Sequence, residues 1–182
     1  MGMATPLYYS ADQVRELPED GNRYEVVDGE LLVTPSPRPW HQLVAGRLFR
    51  ALADYLDRHP VGHVIASPAD ISWSPLDLVQ PDLFVVPLEA ARTLNWAAMR
   101  HLLLVAEVLS PATARADRFT KRRLYQRSGV PLYWIVDADR RAVEIWTPEW
   151  ELPEQAADLL VWQPDPSAPP FALPLVELFR PL

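Results

Sequence analysis

The sequence predicts an α/β fold, and three stretches carry that prediction. Two strand-like runs flank the dipeptide Asp28-Gly29, and apolar residues recur at helical spacing between His41 and Asp57. Between residues 102 and 137, a strand pattern, a helix pattern and a second strand pattern follow one another. That order is typical of a crossover unit, in which the two strands pair in parallel.

At 182 residues the chain is long enough to bury a sizeable core, and we expect one domain. A hydrophobic fraction of 49% and a charged fraction of 23% are typical of a soluble globular protein. No apolar run approaches the ~20 residues that span a bilayer, so no membrane partner is expected. The absence of cysteine excludes a disulfide framework, a thiolate zinc site and a cysteine nucleophile. Because the N-terminus lacks a basic segment followed by an apolar one, we expect a cytoplasmic location.

The first elements follow from turn chemistry and periodicity. Asp28-Gly29 suits a type I′ turn, so residues 23–34 predict a β-hairpin. A helix is predicted over residues 41–57, ending before Pro60. Its apolar stripe consists of Val44, Ala45, Leu48, Phe49, Leu52, Tyr55 and Leu56.

Further elements are indicated by apolar, β-branched runs and by turn residues. The predicted strands cover residues 63–66, 70–73, 83–87, 102–109 and 132–137, with a hairpin from the last to 142–146. The run over 102–109 is almost unbroken, as in a strand covered on both faces. A helix is expected from about Ala114 to Ser128, closed by Gly129. The proline-rich tail after residue 148 is expected to be mostly irregular, with one edge strand near 158–162.

Two carboxylates stand where charge is costly. Glu107 lies inside an apolar strand, where a carboxylate buried alone would be strongly destabilising. Asp82 follows Pro81 at the start of another strand. Each residue also has an ordinary explanation, since an Asp before a strand is often a turn residue and a lone Glu can point outwards at a sheet edge. If Glu107 is buried, it needs a compensating cation.

Lys121 is the only lysine in the chain. On the predicted helix it shares one face with residues that must pack on the sheet, because they are three or four residues apart. These residues are Asp117, Leu124, Tyr125 and Ser128. The helix begins just beyond the strand that holds Glu107, so this face can bring the ammonium to the carboxylates. We expect truncation of Lys121 to leave the fold largely intact, because its stem covers little area.

Such a cluster suits metal-assisted phosphodiester hydrolysis. Mg²⁺ prefers carboxylate oxygens, and one or two carboxylates suffice to hold it. A compact ammonium can approach a water molecule or a phosphate oxygen, whereas a guanidinium presents a broad fork.

Five segments of the chain resemble one nuclease family. Pro81-Asp82 followed by Glu107 is similar to the core motif of the PD-(D/E)XK superfamily. In chain order, RYEVVDGELLVTPSP, VQPDLFVV, VAEVLSPAT, DRFTKRRLY and GVPLYWIVD resemble the bacterial Uma-two family of proposed restriction endonucleases. The resemblance covers about residues 8–147 and implies a restriction-endonuclease-like core, with a mixed central sheet flanked by helices. Residues 148–182 then form a proline-rich extension of the same domain.

The resemblance also implies roles for single residues. Asp82, Glu107 and the Val108 carbonyl are implied as ligands of Mg²⁺, for which Mn²⁺ can substitute. The superfamily places its lysine where this chain has Leu109. Lys121, on the following helix, is therefore implied as the catalytic lysine.

Two further residues are candidates for the catalytic site. Glu25 resembles an additional acidic residue that such nucleases carry, although an exposed hairpin residue is the alternative. His41 stands at the start of the first long helix, where a histidine close to the end of the helix dipole is the alternative.

The predicted function is a Mg²⁺-dependent DNA endonuclease, and the alternative is an inactive relative that keeps the fold to bind nucleic acid or a protein. Arg118, Arg122 and Arg123 belong to a basic strip that is expected to contact DNA phosphates, unless it is simply a solvated helix face. The net charge of −7 gives no overall positive field. Tryptophans near loops and strand ends, and the frequency of two-fold dimers, favour a homodimer.

Overall fold

The structure, a computed structural model, describes residues 8–182. The first seven residues, on which the expected cytoplasmic location partly depends, lie outside this range. Within it, none of the helices has the length and hydropathy of a bilayer-spanning segment.

The described residues form ten strands and five α-helices. The strands are β1 (Arg23–Val27), β2 (Glu30–Thr34), β3 (Gly62–Ala66), β4 (Leu83–Pro87), β5 (Leu104–Val108), β6 (Tyr133–Asp137), β7 (Ala142–Trp146), β8 (Glu154–Gln155), β9 (Leu159–Trp162) and β10 (Phe171–Pro174). The helices are α1 (Ala11–Arg15), α2 (Pro39–Arg58), α3 (Leu88–Arg92), α4 (Arg122–Arg127) and α5 (Leu175–Leu178), with a 3₁₀ turn over Trp96–Ala98. A π-helical segment, Ala116–Lys121, runs directly into α4.

The central sheet has the strand order β3-β4-β5-β6-β7-β8. Strands β5 and β6 are parallel, and the other neighbouring pairs are antiparallel. The π-helical segment and α4 join the parallel pair, as the predicted crossover requires. This mixed sheet, flanked by helices and accompanied by an N-terminal hairpin, confirms the predicted fold class.

The hairpin of β1 and β2 forms for a local reason. Its register pairs Val27 with Glu30 across a two-residue turn. Asp28 and Gly29 have φ angles of 51° and 80°, and a type I′ turn requires positive φ at both positions. The predicted hairpin is confirmed.

Both faces of the sheet are buried. One face packs against the apolar stripe of α2 and against β9, β10 and α5, and the other packs against α4. Side chains alternate along β5, so Leu104, Ala106 and Val108 belong to the first face and Val105 belongs to the second. By the same alternation Glu107 points to the α4 side, where the predicted helix was expected to bring Lys121.

Residues 70–73 do not form the predicted strand. Only Ile71 pairs, in an isolated bridge with Val79. The chain turns immediately afterwards, because the Ser74 carbonyl accepts the backbone N–H of Asp77. Prolines on either side of this stretch cannot donate ladder hydrogen bonds, so no longer pairing develops.

The C-terminal tail is more ordered than predicted. The stretch near 158–162 forms β9, but β9 pairs with β10 in a separate sheet, and β8 is the edge of the central sheet. Prolines 164, 166, 169 and 170 lie in the loop between β9 and β10, where the backbone needs no ladder hydrogen bonds. The buried side chains of β9, β10 and α5 complete the core on the α2 face.

The tryptophans give little support to a self-association surface. Of the six expected near loops or strand ends, Trp96 and Trp150 are exposed. The others, Trp40, Trp73, Trp146 and Trp162, are buried or partly buried. The homodimer therefore stays a prediction.

Gly29→Ala should lower the free energy of unfolding by ~1–2 kcal/mol, because an L-residue is strained in the left-handed region. The added Cβ would also lie 2.6 Å from the Tyr8 side chain. Gly46→Ala in α2 is the matched control, since its Cβ meets no neighbour and should stabilise the helix by ~0.5–1 kcal/mol. Urea denaturation measures both changes. Equal midpoints for the two variants would contradict the turn assignment.

Candidate active site

Asp82 and Glu107 lie next to each other, where β4 begins and β5 ends. The antiparallel register pairs Leu83 with Ala106, so the next residues along are Asp82 and Glu107. The Asp82 N–H donates to Glu107 Oε2 at 3.2 Å, and the Val108 N–H donates to Asp82 Oδ2 at 2.9 Å. Each carboxylate thus accepts a hydrogen bond from the backbone of the other segment, and the predicted pair is brought together.

Lys121 lies on the sheet-facing side of the helix, as its spacing predicted. Its side chain is 1% exposed, and Nζ lies 2.9 Å from both Glu25 Oε1 and Glu107 Oε1. Asp117 Oδ1 is 3.7 Å from the same nitrogen. The Tyr125 hydroxyl donates to Glu107 Oε1 at 2.8 Å. Glu107 is therefore fully buried beside a cation, and the alternative of an outward-pointing edge residue is wrong.

The helix that carries Lys121 is π-helical over Ala116–Lys121, which the sequence pattern did not indicate. Asp117 and Lys121 are nevertheless both buried at the two ends of this segment. The widened turn is of the kind that occurs frequently at functional sites. The ammonium and a fourth carboxylate thus reach the same buried cluster from one segment.

Glu25 comes into this cluster from the N-terminal hairpin. It is 1% exposed, and its Oε1 also accepts the Gln80 N–H at 2.7 Å. Its Oε2 is buried and has no hydrogen-bond partner. The alternative of an exposed hairpin residue is therefore wrong.

Two cationic or basic side chains contact Asp82. Arg23 Nη1 lies 2.9 Å from Oδ1, and His41 Nε2 lies 3.1 Å from Oδ2. His41 is 8% exposed and is a buried partner of Asp82, and it also lies in the first turn of α2, near the N-terminal end of the helix dipole. Arg23 was missed by the sequence analysis, although it stands two residues before Glu25 on one strand and therefore on the same face.

Burial raises the pKa of two carboxyl groups in the cluster. It raises the pKa of Glu107 to about 8, and the negative charges of Asp82 and Asp117 oppose the lowering effect of Lys121. It also raises the pKa of Asp117 to about 6. Negative charge is therefore crowded at this point of the structure.

The pKa of Asp82 and that of Lys121 move in the direction that keeps both groups charged. Burial would raise the pKa of Asp82, but the His41 hydrogen bond and the Arg23 charge hold it below its ordinary value. Burial would lower the pKa of Lys121, but Glu107 and the neighbouring carboxylates raise it. Lys121 is therefore a permanent ammonium in the folded chain.

A cleft of about 800 Å³ opens above the cluster. It lies between the β1–β2 hairpin, the N-terminal half of α2 and residues 110–113. Asp82, His41 and Arg23 line it, and Lys121 and Glu107 lie beneath at 1% exposure. A substrate in the cleft would therefore meet the Asp82 side of the cluster first.

The arginines of the basic strip do not line this cleft. Arg118 pairs with Glu144 at 2.8 Å and with Asp137 at 3.3 Å. Arg122 stacks over the Trp146 ring at 4.4 Å, and Arg123 is exposed. Phosphate contacts by these three arginines stay a prediction, and the geometry gives the first two internal partners instead.

The donor set of the cluster fits a hard cation, although no group of three or more His, Asp or Glu residues within 8–182 is arranged as a metal site. Asp82 and Glu107 supply carboxylate oxygens, the ligand type that Mg²⁺ prefers, and two carboxylates suffice. Buried Glu25 Oε2 and Asp117 Oδ1 lack hydrogen-bond partners, and each lies 3.7 Å from a cationic nitrogen, of Arg23 and Lys121 respectively. The ligand roles of Asp82, Glu107 and the Val108 carbonyl stay predictions.

Comparisons with known proteins agree with this fold. The family model described as "Uma2: Putative restriction endonuclease" matches residues 11–176. A crystal structure of "a putative nuclease belonging to DUF820" from Anabaena variabilis superposes with a TM-score of 0.70 at 19% identity. The match covers 94% of this chain and 97% of that one, and it shows the fold. No curated protein matches the chain.

Lys121→Met should lower the free energy of unfolding by ~3–5 kcal/mol, because it leaves buried carboxylates without their cation. The expectation that truncation here leaves the fold intact rests on a wrong premise, since the side chain is 1% exposed and fully enclosed. Arg123→Met, an exposed cation on the same helix, is the control and should change stability by less than ~0.5 kcal/mol.

Chemical denaturation of both variants, and of Lys121→Met combined with Glu107→Gln, checks the assignment. The double variant should recover part of the loss, because it removes one of the uncompensated charges. Wild-type stability in Lys121→Met would show that the ion pairs do not form.

Proposed function

Because the chain belongs to the Uma2 family, we propose that it is a metal-dependent endonuclease that hydrolyses DNA phosphodiester bonds. One observation carries the proposal: a buried ammonium, Lys121, lies between Glu25 and Glu107 beneath a cleft that Asp82 lines. A hydrophobic side chain would serve a structural core at least as well as a buried charge cluster. Perturbed carboxyl groups beside a cleft are typical of active sites.

Asp82 and Glu107, with the Val108 carbonyl, would hold Mg²⁺, for which Mn²⁺ can substitute. When bound, the ion would lower the pKa of a water molecule and offset negative charge on the phosphate. The choice of DNA as substrate rests on the restriction-endonuclease description of the family.

The chain's own residues supply positioning and fixed charge. The Lys121 ammonium is preorganised, because three carboxylates surround it and it does not need to move to become charged. From beneath the cleft it would act through its field, as a fixed positive charge that offsets the negative charge developing while water adds to phosphorus and one P–O ester bond breaks. Glu25 holds the ammonium from the hairpin side and is a positioning residue. His41 orients the Asp82 carboxylate through its 3.1 Å contact.

The purified chain should nick supercoiled plasmid DNA in Mg²⁺ or Mn²⁺, and EDTA should abolish the reaction. Single-stranded DNA and RNA belong in the same assay, because their phosphodiesters require the same chemistry. Failure to cleave any of these substrates with either ion would favour the alternative, an inactive nuclease-fold module that binds nucleic acid or a protein partner.

Asp82→Asn should reduce single-turnover cleavage by ~10²–10³-fold, as loss of one preorganised electrostatic contact does in other enzymes. Asp77→Asn is the matched control. Asp77 is a 5% exposed carboxylate that pairs with Arg127 and does not line the cleft. Its substitution should leave cleavage per folded molecule unchanged. Equal rates for the two variants, each corrected for its folded fraction, would remove Asp82 from the site.

A further inference from the structure

Among the described residues, Arg23 is the permanent cation that both contacts the buried cluster and lines the cleft. Its side chain is 19% exposed, whereas that of Lys121 is 1% exposed. Arg38 also lines the cleft, but its ion pair is with Asp139, outside the cluster. Arg23 is therefore the cation of the cluster that a substrate in the cleft can reach.

The cluster holds more negative than positive side chains. Its carboxylates are Glu25, Asp82, Glu107 and Asp117, and its permanent cations are Lys121 and Arg23. Lys121 contacts three of the carboxylates, and the direct partners of the fourth, Asp82, are Arg23 and His41. The Arg23 guanidinium thus occupies oxygens that an added cation would use.

One nitrogen of this guanidinium, Nη2, is not engaged by the described residues. Nη1 donates to Asp82 Oδ1 at 2.9 Å and to the Gln80 carbonyl at 3.0 Å. Nε lies 3.7 Å from Glu25 Oε2, and neither atom has a hydrogen-bond partner. No hydrogen bond from Nη2 is formed within residues 8–182 either. Nη2 is therefore the group left to donate to a phosphate oxygen in the cleft, and the charge of the planar guanidinium strengthens that contact.

We propose that Arg23 binds a phosphate oxygen of a nucleic-acid backbone in the cleft. In the free protein its guanidinium takes the place of a metal ion beside Asp82 and Glu25. The inference rests on the proposed function for the nature of the substrate. It adds a substrate-binding residue that neither the motif nor the basic strip indicated.

This double role makes a distinctive prediction for Arg23→Gln. The variant loses a competitor for the Asp82 oxygens, so Mg²⁺ alone should bind about ten-fold more tightly. The same variant loses a charged phosphate contact, so a DNA oligonucleotide should bind ~10- to 100-fold more weakly. A residue that only supports the fold would weaken both.

The experiment measures Mg²⁺ binding by calorimetry and binding of a fluorescein-labelled DNA oligonucleotide by anisotropy, with Ca²⁺ in place of Mg²⁺ to occupy the carboxylates. Arg38→Gln is the matched control, because it removes a cation from the same cleft without touching Asp82. It should leave the Mg²⁺ affinity unchanged. Arg23→Lys keeps the charge but not the planar fork, so its Mg²⁺ affinity should stay near wild type while its DNA affinity falls.

Opposite shifts in Arg23→Gln support the proposal, and parallel weakening of both ligands overturns it. If Arg23→Gln does not fold, Arg23→Lys decides, and wild-type DNA affinity in that variant overturns the proposal. Wild-type protein that binds no DNA also overturns it. A wild type that binds DNA but does not cleave it, with the opposite shifts intact, would remove the endonuclease activity and leave the role of Arg23 in place.

Discussion

The buried ammonium of Lys121 is the constraint on which the rest of the structure depends. A charge taken out of water is strongly destabilised unless opposite charges and hydrogen bonds compensate it. Here the compensation comes from β1, from β5 and from the helix itself, through Glu25, Glu107 and Asp117. Because all three carboxylates must reach one nitrogen, the hairpin, the central sheet and the crossover helix are fixed relative to one another. The same contacts that hold these elements together therefore also build the site.

This cluster is not what stability alone would select. Apolar side chains of similar volume would pack in its place at least as well, since the desolvation of buried ion pairs often exceeds their attraction. The cluster also has more carboxyl groups than cations, and burial together with the neighbouring carboxylates raises the pKa of Glu107 to about 8. Strain of this kind is characteristic of sites that bind or catalyse, where it is stabilised by the surrounding fold. The well-packed apolar faces of the sheet provide that surrounding support.

The distribution of charge is compatible with the proposed action of an acidic chain on a polyanion. With a net charge of −7, the chain as a whole does not attract nucleic acid. Arginines of the basic strip on the crossover helix make contacts within the protein, such as the ion pair of Arg118 with Glu144. The cleft instead carries Arg23, which contacts the cluster, and Arg38. Attraction is therefore local to the point where a phosphate would react, and the field elsewhere does not favour indiscriminate binding.

The sequence by itself determined the hairpin and the long helix α2, because their causes are local. The Asp28-Gly29 turn and the stripe of α2 need only neighbouring residues, and the spacing of Lys121 on its helix was enough to place it inward. The pairing of Asp82 with Glu107 also followed, because it depends on one strand register. Glu25 and His41 were already candidates, and only the tertiary structure decided that they and Arg23 contact Lys121 or Asp82. It also decided that β9 pairs with β10 and that the stretch at 70–73 forms a single bridge. These outcomes depend on contacts between residues far apart in the chain. Periodicity in the sequence reports only local spacing, so it does not indicate which distant side chain compensates a buried charge most completely.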